Sequence, residues 1–436
     1  MRRRVADHLR CAACGATVPV SQPASWRCPN ARGNDRHHVL VARFAEAEGE
    51  FAPDDSDNPF VAFRTLLVWD AFAASLGLSD QQRREFVESV DQRVASVAGT
   101  GFRFTPFARH DALSSALGFT DAGGVWVKNE TGNVAGSHKA RHLFTELLHL
   151  LLLEEKHVAG FGGDRPELAI ASCGNAAIAA STLAAAVNWP IRVFVPVSAD
   201  EVVVAKLNAL GATVETCPRR DDDPPGDPCV LRFRERVAAG AVPFGVQGPE
   251  NAWCLDGGRV IGLEMLHQLG SVHMDEFVIQ VGGGAFAGGV GDALMMSGRT
   301  DARLVAVQTE GCAPLARAWR RAGETGGTAN AGARWSRCMW PWETEPRSLA
   351  DGILDDETYD WISVCDAMTA TNGFPVVAPE ADVVAAFEMA HRVTDIEVSP
   401  TGSAGLAGLI TGLRDRRDVF APTSRVAVVF SGVLRR

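Results

Sequence analysis

Lys139 is the residue in this chain whose position most strongly suggests chemistry. It lies in Gly-Ser-His-Lys-Ala-Arg (residues 136–141), between the strand-like run 125–129 and an apolar helix pattern that continues to Leu153. A lysine at the mouth of a strand-to-helix turn can be held against a bound cofactor, although most lysines on helices are solvated. The motif alone does not decide between a lysine that binds a cofactor and a solvated surface lysine.

Three further turns of small residues follow strand-like apolar runs. They are Ser-Cys-Gly-Asn at 172–175, a glycine-rich loop at 282–289, and Ser431 with Gly432. Ligands of α/β proteins bind at the carboxyl ends of such strands. Together with the lysine turn, they predict one site assembled from distant parts of the chain.

The loop 282–289 (Gly-Gly-Gly-Ala-Phe-Ala-Gly-Gly) predicts a phosphate site. Glycines lack Cβ, so several backbone N–H groups can converge on a dianion, and the helix that follows adds its positive end. The loop could also be a plain strand-to-helix connection, and the downstream Glu310 keeps a nucleotide site open. We prefer a site for the phosphate of the cofactor, because a nucleotide site would leave the positions of Lys139 and Asn175 without an explanation.

In content and order these motifs resemble the fold type II pyridoxal-phosphate enzymes, which include serine and threonine dehydratases, threonine synthase and the tryptophan synthase β subunit. The resemblance runs from about Phe60 to the C-terminus, and the order of lysine, Ser-x-Gly-Asn, glycine loop and terminal Ser-Gly carries it. It implies that the cofactor is pyridoxal 5'-phosphate, that the substrate is a small amino acid, and that the protein is a homodimer.

The resemblance also implies a role for each matching residue. Lys139 would form the Schiff base with the cofactor and, once released, act as the base for the α-proton. Asn175 would bind the cofactor's 3-hydroxyl oxygen, and Ser431 would face its pyridine nitrogen. His138 would approach the phosphate, as in the tryptophan synthase β subunit, or serve only in packing. The remaining contacts would be Gly282, Gly283, Gly284 and Ala285 for the phosphate, and Ser172, Cys173, Gly174 and Asn175 for the substrate carboxylate.

The reaction class follows from the ring-nitrogen partner. A hydroxyl such as that of Ser431 cannot keep the ring nitrogen protonated as an aspartate would, so the ring is a milder electron sink. A milder sink suits loss of a β-leaving group, by β-elimination or β-replacement. Ser-x-Lys-x-Arg at 137–141, the full glycine loop and Val-Gln-Thr-Glu at 307–310 resemble serine and threonine dehydratases, so we predict β-elimination from serine, threonine or a derivative, as in dehydratases and ammonia-lyases. The N-terminal cysteines resemble threonine synthase instead, which leaves β- or γ-replacement as the alternative. A cofactor-binding or ligand-sensing protein without turnover is the non-enzyme alternative.

The N-terminal cysteines predict a metal site separate from this chemistry. Cys11 and Cys14 are spaced Cys-x-x-Cys, and Cys28 could supply a third zinc ligand. Ala31 stands where the similar ribbon of threonine synthase has its fourth cysteine, so His37 or His38 would complete the site. We take Cys11, Cys14, Cys28 and His38 as ligands of a structural zinc, with a metal-free knuckle as the alternative.

Composition excludes several other classes. The chain has 436 residues and a formal charge of −11, which disfavours a general nucleic-acid binder because a phosphate backbone would be repelled. No run of 18 uncharged apolar residues predicts a membrane span, and no apolar signal core follows the N-terminal arginines. We therefore expect a cytoplasmic protein whose cysteines are mostly reduced.

The elements that must position these residues alternate between strand and helix from residue 125 onward. This alternation predicts an α/β protein with two doubly wound, mostly parallel sheet domains. An N-terminal Cys-rich knuckle and a helical arm precede them. The predicted domains are a zinc-ribbon-like module (1–45), a linker and helical arm (46–120), a smaller α/β domain with Lys139 at its edge (121–245) and a larger α/β domain with the phosphate loop (246–436).

Overall fold

The computed structural model describes residues 2–32, 37–224 and 226–435. Its strands are β1 (Arg2–Cys11), β2 (Thr17–Pro19), β3 (Leu40–Glu50), β4 (Phe107–Arg109), β5 (Gly124–Asn129), β6 (Leu168–Ala171), β7 (Ile191–Val195), β8 (Thr213–Thr216), β9 (Val242–Pro243), β10 (Glu276–Gln280), β11 (Arg303–Thr309), β12 (Phe374–Ala378) and β13 (Arg425–Phe430).

Its α-helices are α1 (Pro59–Ala62), α2 (Val68–Ser75), α3 (Asp80–Ala98), α4 (Asp111–Ala116), α5 (Lys139–Glu155), α6 (Asn175–Ala186), α7 (Glu201–Ala209), α8 (Pro228–Ala238), α9 (Leu255–Leu269), α10 (Ala285–Ser297), α11 (Pro314–Glu324), α12 (Trp335–Cys338), α13 (Trp361–Ala370), α14 (Glu380–Val393) and α15 (Pro400–Asp415). Among the described residues, none of these helices combines the length and the apolar character that crossing a bilayer requires.

The chain divides into two units, and each contains a mostly or wholly parallel sheet. The first unit comprises the chain up to Arg103, Asn133–Ala135 and Lys139–Gly257. The second comprises Phe104–Gly132, Gly136–His138 and the chain from Gly258 onward. The predicted domain boundaries at residues 45, 120 and 245 stay predictions.

An antiparallel sheet begins the first unit, with strand order β2-β1-β3. Its apolar side chains form a core with Val68 of α2 and Ala252. The sequence favours a solvated tail at Arg2–Arg4 and an exposed linker over residues 46–57. Arg2, Arg3 and most of residues 46–57 are exposed, but residues 2–4 and 46–50 belong to paired strands. Residues 2–4 pair with the end of β3, and Arg2 bonds Glu46 at 2.9 Å. Opposite charges facing each other across two strands stabilise the pairing.

The helical arm follows in the same unit. The sequence predicts a helix over residues 81–97 with Ser79 as its N-cap, and this helix is confirmed as α3, with Gly99 as a left-handed C-cap. The sequence also predicts one continuous helix over residues 60–76, but a 3-10 turn (Arg64–Leu66) separates α1 from α2 there. The buried guanidinium of Arg64 lies at this turn and bonds Asp70 at 2.9 Å.

A four-stranded parallel sheet with order β8-β7-β6-β9 forms the α/β part of the first unit. The second unit contains a six-stranded sheet with order β12-β11-β10-β13-β5-β4, in which only β4 runs antiparallel to its neighbour. Its inner strands are continuous apolar runs, as expected for strands covered on both faces. Helix α15 packs against the sheet, where Leu406 and Leu409 join Val278 and Val428 in one core.

These sheets confirm the predicted α/β class with mostly parallel strands. One strand has partners that the sequence does not predict. From the sequence, residues 125–129 are predicted to lie in the smaller domain with β6. In the structure, β5 instead pairs with β13 over Gly124–Asn129 and belongs to the six-stranded sheet. Strand pairing across about 300 residues depends on which apolar faces pack together, and the order of elements along the chain does not determine it.

Candidate active site

The glycine loop connects β10 to α10 in the second unit. Gly284 is the N-cap of α10 and has φ +97°, which favours glycine. A Cβ at this position would also lie 2.9 Å from Cγ2 of Thr358. The first N–H groups of a helix have no partner within the helix. The loop therefore places N–H donors and the positive helix end at one point, as a phosphate site requires.

The glycine loop is covered by an acidic segment that our sequence analysis did not select. The N–H of Asp360 donates to the carbonyl oxygen of Gly283 at 2.7 Å, and a Cβ at Gly282 would clash with the Asp355 carboxylate. Aspartates in a loop are usually surface residues, so composition contained no signal for this contact.

Ser431 lies immediately after β13, which pairs in parallel with β10. The carboxyl ends of adjacent parallel strands meet at one edge of a sheet, so Ser431 and the loop from Gly282 share this edge. The Ser431 side chain is buried, and its Oγ accepts the backbone N–H of His138 at 3.0 Å. The His138 Nδ1 lies 2.5 Å from the same oxygen, and its ring stacks on Phe286.

The glycine loop and Ser431 flank the point at which the chain connections leave the six-stranded sheet in opposite directions. From β10 the chain crosses to β11 on one side, whereas β13 and β5 lie on the other. Ligands of doubly wound sheets bind in the crevice at such a point. The sheet topology thus independently favours a ligand site at the edge that holds Gly282–Ala285 and Ser431.

Lys139 is the first residue of α5 and is half-buried. The sequence has only three other lysines. Lys128 is fully buried and contacts the Glu264 carboxylate at 2.5 Å. Lys156 pairs with a neighbouring glutamate near the far end of α5, and Lys206 is exposed on α7. Position and burial therefore favour Lys139 as the lysine that reacts with a cofactor.

Helix α5 is held by polar side chains that face the segment before α9. His142 Nδ1 lies 2.7 Å from the carbonyl oxygen of Cys254, and Thr145 donates to that of Trp253 at 2.7 Å. The His149 ring stacks on Trp253 with centroids 4.2 Å apart, and burial lowers the pKa of its imidazole to about 3. These bonds fix the orientation of the helix that begins at Lys139.

The Ser172–Asn175 turn connects β6 to α6 in the first unit. Gly174 is the N-cap of α6, and Asn175 is its first residue. The N–H of Gly174 lies 3.4 Å from Ser172 Oγ, and the Cys173 side chain is exposed. The turn lies where β6 separates β7 from β9, which is the topological switch point of the four-stranded sheet.

The expected metal ligands come together in the N-terminal sheet. The ligand atoms of Cys11, Cys14, Cys28 and His38 all lie within 4.8 Å of one another. Cys11 Sγ is 3.5 Å from His38 Nδ1, and the Cys14 and Cys28 sulfurs are 3.6 Å apart. Of the two candidate histidines, His38 is the one in this group. Three thiols and an imidazole converging in this way match the donor set of structural zinc.

The predicted residues thus form three local groups. The first unit contains Lys139, the Ser172–Asn175 turn and the Cys/His group, and the second contains His138, the glycine loop and Ser431. Their roles toward a cofactor or a metal stay predictions.

Comparisons with known proteins cover most of the chain. A family model described as "Pyridoxal-phosphate dependent enzyme" matches residues 98–432. The L-threonine ammonia-lyase of Thermotoga maritima is 27% identical over 327 residues, which span 74% of this chain and 70% of that protein.

Solved structures agree with the fold. Maize serine racemase aligns with a TM-score of 0.61 at 18% identity, over 81% of this chain and 93% of that one. A fungal L-serine ammonia-lyase from Rhizomucor miehei aligns with a TM-score of 0.57 at 18% identity, over 76% of this chain and 94% of that one. At these identities the likeness concerns the fold alone.

Proposed function

Because this chain belongs to the family of pyridoxal-phosphate-dependent enzymes, we propose that it is a lyase that removes a β-substituent from a small amino acid. The preferred substrates are serine, threonine or a derivative with a β-hydroxyl, and the products are an α-keto acid and ammonia. The relative named L-threonine ammonia-lyase supports this reaction type.

The residues of the second unit suit the cofactor. A phosphate needs N–H donors, and the Gly282–Ala285 turn supplies them at the start of a 13-residue helix. A pyridine nitrogen needs one polar partner, and Ser431 offers a buried hydroxyl at the same sheet edge. In the first unit, Asn175 offers an amide for the 3-hydroxyl oxygen, and Lys139 offers the amine that would hold the aldehyde.

The chain's own residues would perform two tasks in the reaction. When bound, the cofactor withdraws electrons from the α-carbon of the attached amino acid. Lys139 Nζ would accept the α-proton, and its position at the start of a buried helix holds it in place. Backbone N–H groups of the Ser172–Asn175 turn, at the N-terminus of α6, would bind the substrate carboxylate.

The hydroxyl of Ser431 at the carboxyl end of β13 is the observation that supports loss of a β-substituent over transamination, and the relative named L-threonine ammonia-lyase supports elimination over replacement. A neutral hydroxyl leaves the ring nitrogen unprotonated, whereas a carboxylate would hold a proton on it. A weaker electron sink favours departure of a β-substituent over transamination. The family assignment does not depend on this argument about the ring nitrogen, whereas the proposed reaction type does.

The first test is spectroscopic. Purified protein loaded with the cofactor should show an absorbance band near the visible edge that shifts with serine or threonine, and should then release keto acid and ammonia without an added nucleophile. Borohydride reduction followed by peptide mapping should place the cofactor on Lys139. Lys139→Ala should abolish the band, whereas Lys206→Ala, on the exposed face of α7, should keep it.

Three other outcomes would contradict the elimination. A product formed only with a second nucleophile would identify a replacement enzyme, and a D-amino acid would identify a racemase. A spectral shift without any product would identify a binding protein.

We also propose that Cys11, Cys14, Cys28 and His38 bind one structural zinc ion. Their convergence within 4.8 Å supports it, because three thiolates and an imidazole are donors that structural zinc takes in tetrahedral sites.

A further inference from the structure

His138 and Ser431 form a buried pair although 293 residues separate them. The Ser431 oxygen accepts the His138 backbone N–H at 3.0 Å and lies 2.5 Å from the imidazole Nδ1. The imidazole stacks on Phe286 with centroids 4.3 Å apart, and both side chains of the pair are at least 90% buried. The geometry of the pair is therefore fixed by a backbone bond, a side-chain bond and a ring contact.

The pair limits what the Ser431 hydroxyl can do. A hydroxyl has one proton to donate and two lone pairs that accept. The His138 N–H uses one lone pair. If the imidazole Nδ1–H uses the other, the hydroxyl proton is available to a third group. If Nδ1 instead accepts that proton, the oxygen can only accept from a third group. The imidazole thus decides whether Ser431 is a donor or an acceptor.

We propose that His138 is a positioning residue whose Nδ1–H donates to Ser431 and so holds the hydroxyl as a donor to the cofactor ring nitrogen. This inference rests on the proposed function, which places the ring nitrogen at Ser431. A nitrogen that accepts from a hydroxyl carries no proton, so His138 maintains the weaker electron sink that elimination requires. Hydrogen bonds in a chain strengthen one another, so the donation by Nδ1–H also makes Ser431 a better donor.

A purely structural role for His138 makes a different prediction. A phenyl ring at position 138 would stack on Phe286 as the imidazole does and would keep the backbone N–H bond to Ser431. The Nδ1 contact to Ser431 would be lost. His138→Phe therefore separates packing from positioning. His138→Asn restores a donor, because the asparagine Nδ2 corresponds to the imidazole Nδ1.

The test uses cofactor labelled with ¹⁵N at the ring nitrogen and bound to the full chain. Loss of a hydrogen bond to a pyridine nitrogen moves its ¹⁵N resonance downfield. We expect this shift in His138→Phe and in Ser431→Ala, no further shift in the double variant, and return toward wild type in His138→Asn. Loss of one bond should also lower kcat by about five- to tenfold while KM changes little.

The outcomes separate this inference from the function on which it rests. If His138→Phe keeps the wild-type resonance while Ser431→Ala shifts it, the positioning role is wrong and the proposed function stands. If neither variant shifts it, Ser431 does not face the ring nitrogen, and the inference fails although the cofactor is bound. If the wild type binds no cofactor through Lys139, both proposals fail.

Discussion

At the scale of single residues, burial determines which polar groups titrate. Glu276, the first residue of β10, is fully buried and has one bond to a cation, from Arg303 at 3.1 Å. Among the described residues its second carboxylate oxygen has no hydrogen-bond partner. Burial, together with the nearby charge of Asp275, raises the pKa of the Glu276 carboxyl to about 8.

This carboxyl predicts a pH dependence of stability. The unfolded chain releases the proton near pH 4.5, whereas the native state keeps it to about pH 8. The contribution of Glu276 to stability is therefore complete below pH 4.5 and is lost as pH rises toward 8, by up to about 1.4 kcal/mol per pH unit. Glu276→Gln cannot titrate and should gain stability relative to wild type across this interval.

Thermal unfolding of both proteins from pH 5 to 8 measures the effect. Glu155→Gln, on the exposed end of α5, is the matched control and should run parallel to wild type. If the Glu276→Gln curve also runs parallel to wild type, the carboxyl is already ionised in the native state.

At the scale of elements, helix α10 has a left-handed glycine at each end. Gly284 is the N-cap with φ +97°, and Gly298 is the C-cap with φ +72°. A Cβ at Gly284 would meet Thr358, whereas a Cβ at Gly298 would meet no heavy atom within 4 Å. Both caps therefore need a residue that tolerates positive φ, but only at Gly284 would a side chain meet another residue.

Alanine at each cap should separate helix stability from phosphate binding. Both Gly284→Ala and Gly298→Ala should lose about 1–2 kcal/mol of stability because alanine is strained at positive φ, and Gly284→Ala should lose more because its Cβ also meets Thr358. Only Gly284→Ala should weaken cofactor binding, by about tenfold or more, equivalent to ~1.4 kcal/mol. Denaturant unfolding and cofactor titration measure the two quantities. Equal cofactor affinity in both variants would show that the phosphate does not bind at this helix end.

At the scale of the whole molecule, the N-terminal sheet is connected to the helix of Lys139 within the first unit. The Trp26 carbonyl oxygen accepts the N–H of Ala252 at 2.9 Å, and the Trp26 ring meets Trp253 edge-on at 5.3 Å. Trp253 in turn stacks on His149 of α5. Trp26 lies two residues before Cys28. A metal at the Cys/His group would therefore hold Trp26, the first residue in this chain of contacts, in place.

Removal of the metal should therefore affect cofactor binding as well as stability. Cys14→Ser should lose the zinc measured by elemental analysis, unfold at lower temperature and bind the cofactor at least about fivefold more weakly, the lower end of typical coupling between sites. Trp26→Ala should keep the zinc and share the weaker cofactor binding.

Two results would count against this connection. Wild-type protein without zinc after purification in zinc-containing medium would exclude the metal site. Zinc-free Cys14→Ser with unchanged cofactor affinity would leave the metal a local role in the N-terminal sheet.

Local features of the site were accessible from the sequence. Lys139, the Ser172–Asn175 turn, the glycine loop and Ser431 each occupy a strand-to-helix turn or a strand end, as predicted. These features depend on contiguous residues, because apolar runs and small-residue turns determine local structure directly. The cysteine spacing likewise indicated Cys11, Cys14 and Cys28, with His38 preferred over His37 as the fourth ligand, and the ligand atoms of these four residues lie within 4.8 Å of one another.

Features that depend on long-range packing could not be predicted from the sequence. The pairing of Arg2–Arg4 with β3 was missed because three arginines in a row look like a solvated terminus. The placement of residues 351–360 against the glycine loop was missed because acidic loops usually face water.

The amino-acid sequence by itself determined the chemical groups of this protein: an amine, a glycine turn, a hydroxyl and a set of thiols, each at the end of a regular element. Only the tertiary structure decided that β5 joins the six-stranded sheet, that His138 bonds Ser431, and that His38 joins the cysteines. Such contacts join residues far apart in the chain, so they depend on how whole elements pack and are not encoded in any local pattern.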